Sequence, residues 1–180
     1  MRKLKNEELN RPSVEEYRNL LKNPVILLLD DVRSMHNVGS AFRTADSFGL
    51  EKIILCGITG KPPHREINKT ALGATESVAW EYFEDALEPA KKLQQDGYRI
   101  CVIEQADESI ALDKFKPVTG ERYILIFGNE VSGVNDQLVQ LADHVIEIPQ
   151  SGTKHSLNIS VSIGIVVWDF IIKLSQRSDG

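Results

Sequence analysis

Residues 24–30 read PVILLLD, with no polar side chain until the closing aspartate. The alternation that marks a strand with one wet face is missing, and the run has the length of a strand. A segment like this fits a strand covered on both sides, as in a parallel sheet with helices on each face. Further strands are expected at residues 52–56 (KIILC), 98–104, 122–128 and 144–148. Helical patterns separate most of them. Strands alternating with helices in this way predict an α/β domain built on a parallel sheet.

Ser13-Val14-Glu15-Glu16 has the form of a capping box and predicts a helix over 14–22, which Pro24 terminates. Further helices are expected at 37–48, stopped by Gly49, and at 67–72, 85–95, 134–141 and 156–174. The last is apolar around most of its circumference. Ile163, Val166, Val167 and Phe170 form one stripe, and Ile159, Ile165, Trp168 and Ile172 continue around the cylinder. A helix of that kind needs cover on several sides, from a core or from a second subunit, and a homodimer is expected. A chain of 180 residues has the size of one domain, and no repeat or linker divides it. The expected organisation is a short helical extension at 1–23, one domain at 24–174 and a tail at 175–180.

No apolar run is long enough to cross a bilayer, so no membrane partner is expected. The basic start, residues 1–5, is not followed by an apolar signal core, and a cytoplasmic location is expected. Cys56 and Cys101 sit in apolar runs without metal-ligand spacing, which predicts buried thiols and no metal site. The net charge of -5 looks unfavourable for a nucleic-acid partner. The acidity is local, however: residues 76–147 hold fifteen acidic and six basic side chains, and the rest of the chain is slightly basic. A phosphate backbone responds to the field of one face, so the composition permits RNA without requiring it.

Three loops beside the expected strands carry unusual chemistry, and open parallel sheets bind ligands beyond the carboxyl ends of their strands. The first begins at Asn37, a helix cap by its position, and runs through Gly39 and Ser40 to Arg43, which shares their helix face. Small residues in a first helical turn leave backbone N–H groups free to meet a phosphate. The second, residues 127–133 (FGNEVSG), places a carboxylate between two glycines. The third, residues 148–158 (IPQSGTKHSLN), is polar and basic, with Ser156 in position to cap the following helix. Taken singly, these are also the patterns of a capped helix with a surface arginine, an ordinary strand-to-helix turn and a flexible loop.

Taken together and in this order, the segments NVGSAFRTADSFG (37–49), IFGNEVSG (126–133) and IPQSGTKHSLNIS (148–160) resemble the three motifs of the SpoU/TrmH family of the SPOUT superfamily. The similarity spans roughly residues 24–174. It implies a trefoil-knotted α/β homodimer that uses S-adenosylmethionine to methylate ribose 2'-hydroxyls in RNA. The knot is implied by resemblance only, because threaded connections are rare. By the same resemblance, Arg43 matches the catalytic arginine, Asn37 is its motif partner, and Glu130, Ser156 and Asn158 match the other motif positions. Cofactor contacts are implied for Phe127, Gly128, Asn129, Gly133, Ile148, Gln150, Ser156 and Leu157. Gln150 stands where many relatives have methionine.

A guanidinium stays protonated in proteins, so Arg43 is better suited to bind a phosphate and stabilise a forming alkoxide than to act as a base. Glu130 is left to orient that guanidinium or to accept the proton. Arg33, His36, Lys61, Arg65, Lys69 and Lys154 are loop residues able to track phosphates, though solvated surface charge reads the same way. About twenty residues precede the first strand, whereas many ribosomal relatives carry an RNA-binding domain there. The expected substrate is therefore tRNA, of the guanosine-2'-O type. The alternatives are rRNA, or an inactive RNA-binding module of the same fold.

Overall fold

The computed structural model describes residues 1–175; most of the tail expected at 175–180 lies outside the described residues. After a 3-10 turn at Asn6–Leu9, the elements are α1 (Val14–Asn19), β1 (Asn23–Asp30), α2 (Met35–Ser47), β2 (Leu50–Cys56), α3 (Arg65–Ala71), α4 (Ala74–Ser77) and β3 (Trp80–Phe83). Next come α5 (Leu87–Gln95), β4 (Tyr98–Ile103), β5 (Ile110–Ala111), β6 (Arg122–Phe127), α6 (Asp136–Leu141), β7 (His144–Glu147) and α7 (Ile159–Ser175). The strands form one sheet in the order β3-β2-β1-β6-β4-β7-β5, and every pairing is parallel. The parallel α/β architecture expected from the apolar runs is therefore present.

Strand side chains alternate between two cores. Val25, Leu27 and Leu29 of β1 pack with α2, α3 and α7, whereas Ile26 and Leu28 pack with α5 and α6. This two-sided burial is why β1 lacks polar alternation. Ser13 caps α1, with its Oγ accepting from Glu16 N at 3.3 Å and its own N–H donating to the Glu16 carboxylate at 2.7 Å. Tyr17 fastens α1 to the end of α2 by donating to the carbonyls of Ala45 and Asp46.

Two helix caps differ from expectation. The cap of α2 is Ser34, whose Oγ accepts from Asn37 N at 3.3 Å, so Asn37 lies inside the first turn. The cap of α7 is Asn158, whose Oδ1 accepts from Ser160 N at 2.9 Å. Ser156 remains in the exposed loop. In both cases the polar residue with a free amide two or three positions ahead of it takes the cap.

Gly39 also differs. It is buried in the second turn of α2, and an added Cβ would collide with Thr70 Oγ1 and the Ile67 carbonyl. It serves the close approach of α2 to α3, not an exposed phosphate cradle.

The chain reverses its direction across the sheet in the second half. β6 enters between β1 and β4, and β7 enters between β4 and β5. The segment that carries β5 is tied to β7 and α7. Leu112 N donates to Glu147 O at 2.8 Å, and Lys173 Nζ donates to Leu112 O at 2.6 Å.

Candidate active site

A cavity of about 510 Å³ opens beyond the carboxyl ends of β4, β6 and β7. This is where a topological reversal in a parallel sheet leaves room for a ligand. Ile103, Glu104 and Gln105 form one side, and the loop from Phe127 to Gly133 forms the second. The third side is Ile146 to Ile148 with Gln150 and His155 to Ile159. The cavity thus brings together Phe127, Gly128, Asn129, Gly133, Ile148, Gln150, Ser156 and Leu157, with Glu130 and Asn158 beside them. Ile103, Glu104, Gln105 and Glu147 were not singled out from the sequence, whereas His155, read there as a surface or RNA-contacting histidine, also lines the cavity. The position of 98–104 as a strand ending near two motif loops was the available signal.

The second loop is held by its own backbone. Asn129 and Gly133 exchange two backbone hydrogen bonds, each 3.0 Å, and Asn129 Oδ1 accepts from the N–H groups of Val131 and Ser132. Gly133 sits at φ +73°, a conformation that favours glycine. Asn129 Nδ2 reaches back to Asp31 O at 2.8 Å. Glu130 makes the longer reach: its carboxylate accepts from Arg33 N at 2.9 Å, Ser34 N at 3.0 Å and Asn37 Nδ2 at 3.1 Å. Burial pushes the Glu130 carboxyl up, but these donors outweigh it and hold the carboxyl below the usual range. The pairing of Glu130 with Arg43 left open by the sequence is not made among the described residues.

Arg43 is exposed on α2 and does not line the cavity. It lines a separate depression with Ser40, Thr44, Ser47, Phe48, Lys69 and Thr70. Its side chain makes no hydrogen bond or ion pair among the described residues. Three of the residues expected in phosphate-tracking loops lie in helices instead, His36 in α2 and Arg65 and Lys69 in α3, and gather on Glu66. His36 Nε2 lies 2.9 Å from it, Lys69 Nζ 2.8 Å, and Arg65 Nε 4.0 Å. Lys61 stands over the Tyr82 ring at 3.8 Å. Arg33 and Lys154 are exposed. Among the described residues no group of three or more His, Cys, Asp or Glu is placed to hold a metal ion, and no helix is long and apolar enough to cross a membrane.

Cys56 and Cys101 are both buried free thiols. On α7, Ile163, Val166, Val167 and Phe170 are buried, whereas Val161, Ile165 and Trp168 are 48%, 39% and 55% exposed. The exposed side borders a mainly apolar depression lined by Phe48, Leu112, Pro149, Gly164, Ile165 and Trp168, together with Asp113 and Asp169.

The chain is 32% identical over 152 residues to a tRNA (guanosine(18)-2'-O)-methyltransferase of Aquifex aeolicus, covering 81% of this chain and 67% of that protein. It is 28% identical to a 23S rRNA (guanosine-2'-O-)-methyltransferase of Haemophilus ducreyi, covering 95% and 69%. The crystal structure of an AdoMet-bound rRNA methyltransferase from Sinorhizobium meliloti is similar with a TM-score of 0.79 and 25% identity, covering 88% of this chain and 60% of that one. The fold is that of the SpoU/TrmH SPOUT proteins, and the strand reversals at β6 and β7 are consistent with their knotted C-terminal topology. Residues 24–168 match the model of one family, and on that span the chain belongs to the SpoU rRNA Methylase family.

Proposed function

We propose that the chain transfers a methyl group from S-adenosylmethionine to a ribose 2'-hydroxyl of ribosomal RNA. The enzyme class, the cofactor and RNA as partner follow from the family; the ribosomal substrate is the finer reading. It replaces the expectation of tRNA, because rRNA enzymes slightly outnumber tRNA enzymes among the similar proteins. The observation that carries the proposal is the cavity, in which the second and third motif loops meet at the sheet reversal.

The cavity fits the cofactor on two counts. Its volume of about 510 Å³ lies in the range of small-molecule sites, and Ile103, Phe127, Ile148 and Leu157 supply apolar walls for a purine. Its charged lining is Glu104, Glu130 and Glu147, with no lysine or arginine among the described residues, which favours a cationic ligand. When bound, S-adenosylmethionine supplies an electrophilic methyl group on a positive sulfur.

The protein's own part is positioning and charge. Arg43, whose side chain has no hydrogen-bond or ion-pair partner among the described residues, is suited to hold the phosphate beside the target ribose and to stabilise negative charge on the attacking oxygen. The three donors on Glu130 favour anchoring of α2 as its role over proton acceptance. Asn37 shares that anchor. Arg33, His36, Lys61, Arg65, Lys69 and Lys154 are assigned to the RNA backbone. The free guanidinium of Arg43 argues against an inactive binding module.

Arg43 lies outside the cavity of its own subunit, and α7 exposes an apolar strip. Both features favour a homodimer in which Arg43 of one subunit serves the cavity of the other.

The test is transfer of labelled methyl to rRNA and tRNA purified from a strain lacking this protein, with uptake of S-adenosylmethionine followed by calorimetry. Incorporation into rRNA at a single 2'-O-methylated nucleotide is expected. Incorporation confined to tRNA would return the substrate to the first expectation.

A further inference from the structure

The end of β4 touches both loops that wall the cavity. Glu104 Oε2 accepts from Val134 N at 3.1 Å, and Oε1 accepts from Gln105 N at 2.9 Å. Oε2 also lies against the open face of Gly133, where any Cβ would collide with it. Gly133 closes the loop 129–133 through its two backbone bonds to Asn129, and Val134 is the first residue beyond that closure. Glu104 therefore fixes the exit of the second motif loop from outside.

Its neighbour does the same for the third loop. Gln105 is exposed, and its Nε2 donates to His155 O at 2.8 Å. His155 precedes Ser156 and Leu157 on the cavity wall. Residues 151–158 are exposed and have no regular secondary structure, so this bond is a tie on a segment with few others. Two consecutive side chains thus grip the two loops whose spacing defines the cavity.

We infer that Glu104 and Gln105 are positioning residues that set the width of the cofactor pocket, so that affinity for S-adenosylmethionine depends on them and affinity for RNA does not. The inference rests on the assignment of the cavity to that cofactor. A carboxylate is needed at 104 because both oxygens face N–H donors. In Glu104→Gln one of them becomes an NH2 group directed at a donor, and that hydrogen bond is lost. Gln105→Ala releases the third loop without touching the core.

S-adenosylmethionine is titrated by calorimetry into the wild type and both variants, alongside thermal unfolding of each and filter binding to bulk rRNA. Gln105→Ala removes no charge from the cavity, so its loss of about threefold in cofactor binding reads positioning alone; Glu104→Gln weakens binding about tenfold, a loss that also includes one negative charge of the lining. Binding to rRNA stays within twofold. Folded variants that bind the cofactor within twofold of wild type overturn the inference, as does a parallel loss of RNA affinity. If Glu104→Gln does not fold, Gln105→Ala decides by the same thresholds. A wild type that takes up no S-adenosylmethionine overturns the cofactor assignment and this inference with it. A wild type that binds, with variants that bind equally, overturns the inference alone.

Discussion

Glu130 Oε1 accepts a hydrogen bond from Asn37 Nδ2 at 3.1 Å, tying the loop after β6 to the first turn of α2 across 93 positions of sequence. The same carboxylate takes the backbone N–H groups of Arg33 and Ser34. The helix that presents Arg43 is thus anchored at its start by a residue that also lines the cavity. Arg43 lies two turns further along, and its placement relative to the fold depends on that anchor.

Glu130→Ala leaves three donors without their acceptor. Water reaches this exposed site, so the expected loss of stability is at the low end for a lost hydrogen-bond partner, about 1 kcal/mol. The folded pKa of Glu130 is depressed, so its contribution is complete above the unfolded value of about 4.3 and is lost as pH falls through the folded value. Denaturant unfolding of wild type and variant should differ by a constant amount between about pH 6 and pH 8 and converge in stronger acid. A difference that persisted unchanged to about pH 2 would show that the carboxylate charge plays no part.

Gly39→Ala should act on the contact between α2 and α3. The new methyl group meets Thr70 Oγ1 and the Ile67 carbonyl, and Thr70 is itself bonded to His36 O at 3.0 Å. Separating the helices should lower stability by about 1–3 kcal/mol, as overpacking does elsewhere, and should lower methyl transfer by moving Arg43. Thermal unfolding and a transfer assay check both effects. Unchanged stability would mean that the two backbones are not in close approach.

The elements that the sequence made legible are those with unmistakable burial. β1, β2, β4 and β6 announce themselves by continuous apolar runs, and β7 by a shorter one. β3 reads WEYF, is only part-buried at the sheet edge, and has no such signature; β5 has two residues. The four-residue α4 is too short for periodicity to register. Cap positions were misplaced by a few residues at Ser34 and Asn158, because several neighbouring polar side chains offered the same chemistry. For the site, glycine-bearing loops beside apolar strands pointed to two walls of the cavity. For the third wall the expected strand at 98–104 was the one signal, and nothing local to Glu104 reveals that its acceptor faces Val134, thirty positions on. The separation of Arg43 from the cavity is likewise a matter of how α2 sits on the sheet, which no spacing encodes.

Arg43→Ala should abolish transfer while leaving cofactor uptake intact, since the cavity walls are the segments 103–105, 127–133 and 146–159, and the proposed role of Arg43 is toward the RNA acceptor. A loss of about a hundredfold or more in turnover is expected, as for other donors that act on developing charge. Arg43→Lys should recover only part of it, because an ammonium lacks the planar fork that grips a phosphate. Single-turnover transfer and calorimetry on the same preparations separate the two effects. A variant that kept more than about a tenth of wild-type turnover would remove Arg43 from the reaction.

Trp168→Glu addresses the exposed strip on α7. Trp168 is 55% exposed and follows Val161 and Ile165 along one side of the helix, beside the depression formed with Phe48, Leu112 and Pro149. The side chain is accessible in the subunit, so a carboxylate there leaves the monomer fold intact. At a subunit contact the same carboxylate is buried without a partner, at a cost of several kcal/mol by order of magnitude. Sedimentation at micromolar concentration should therefore show wild-type dimers and variant monomers, with methyl transfer lost in step. Mixing goes further. Arg43→Ala subunits combined with Leu157→Asp subunits, each inactive alone, should recover part of the activity, because one site of each mixed dimer then holds an intact arginine and an intact cavity. An active monomeric Trp168→Glu protein, or a mixture with no recovery, would place Arg43 and the cavity of a single subunit at the same reaction.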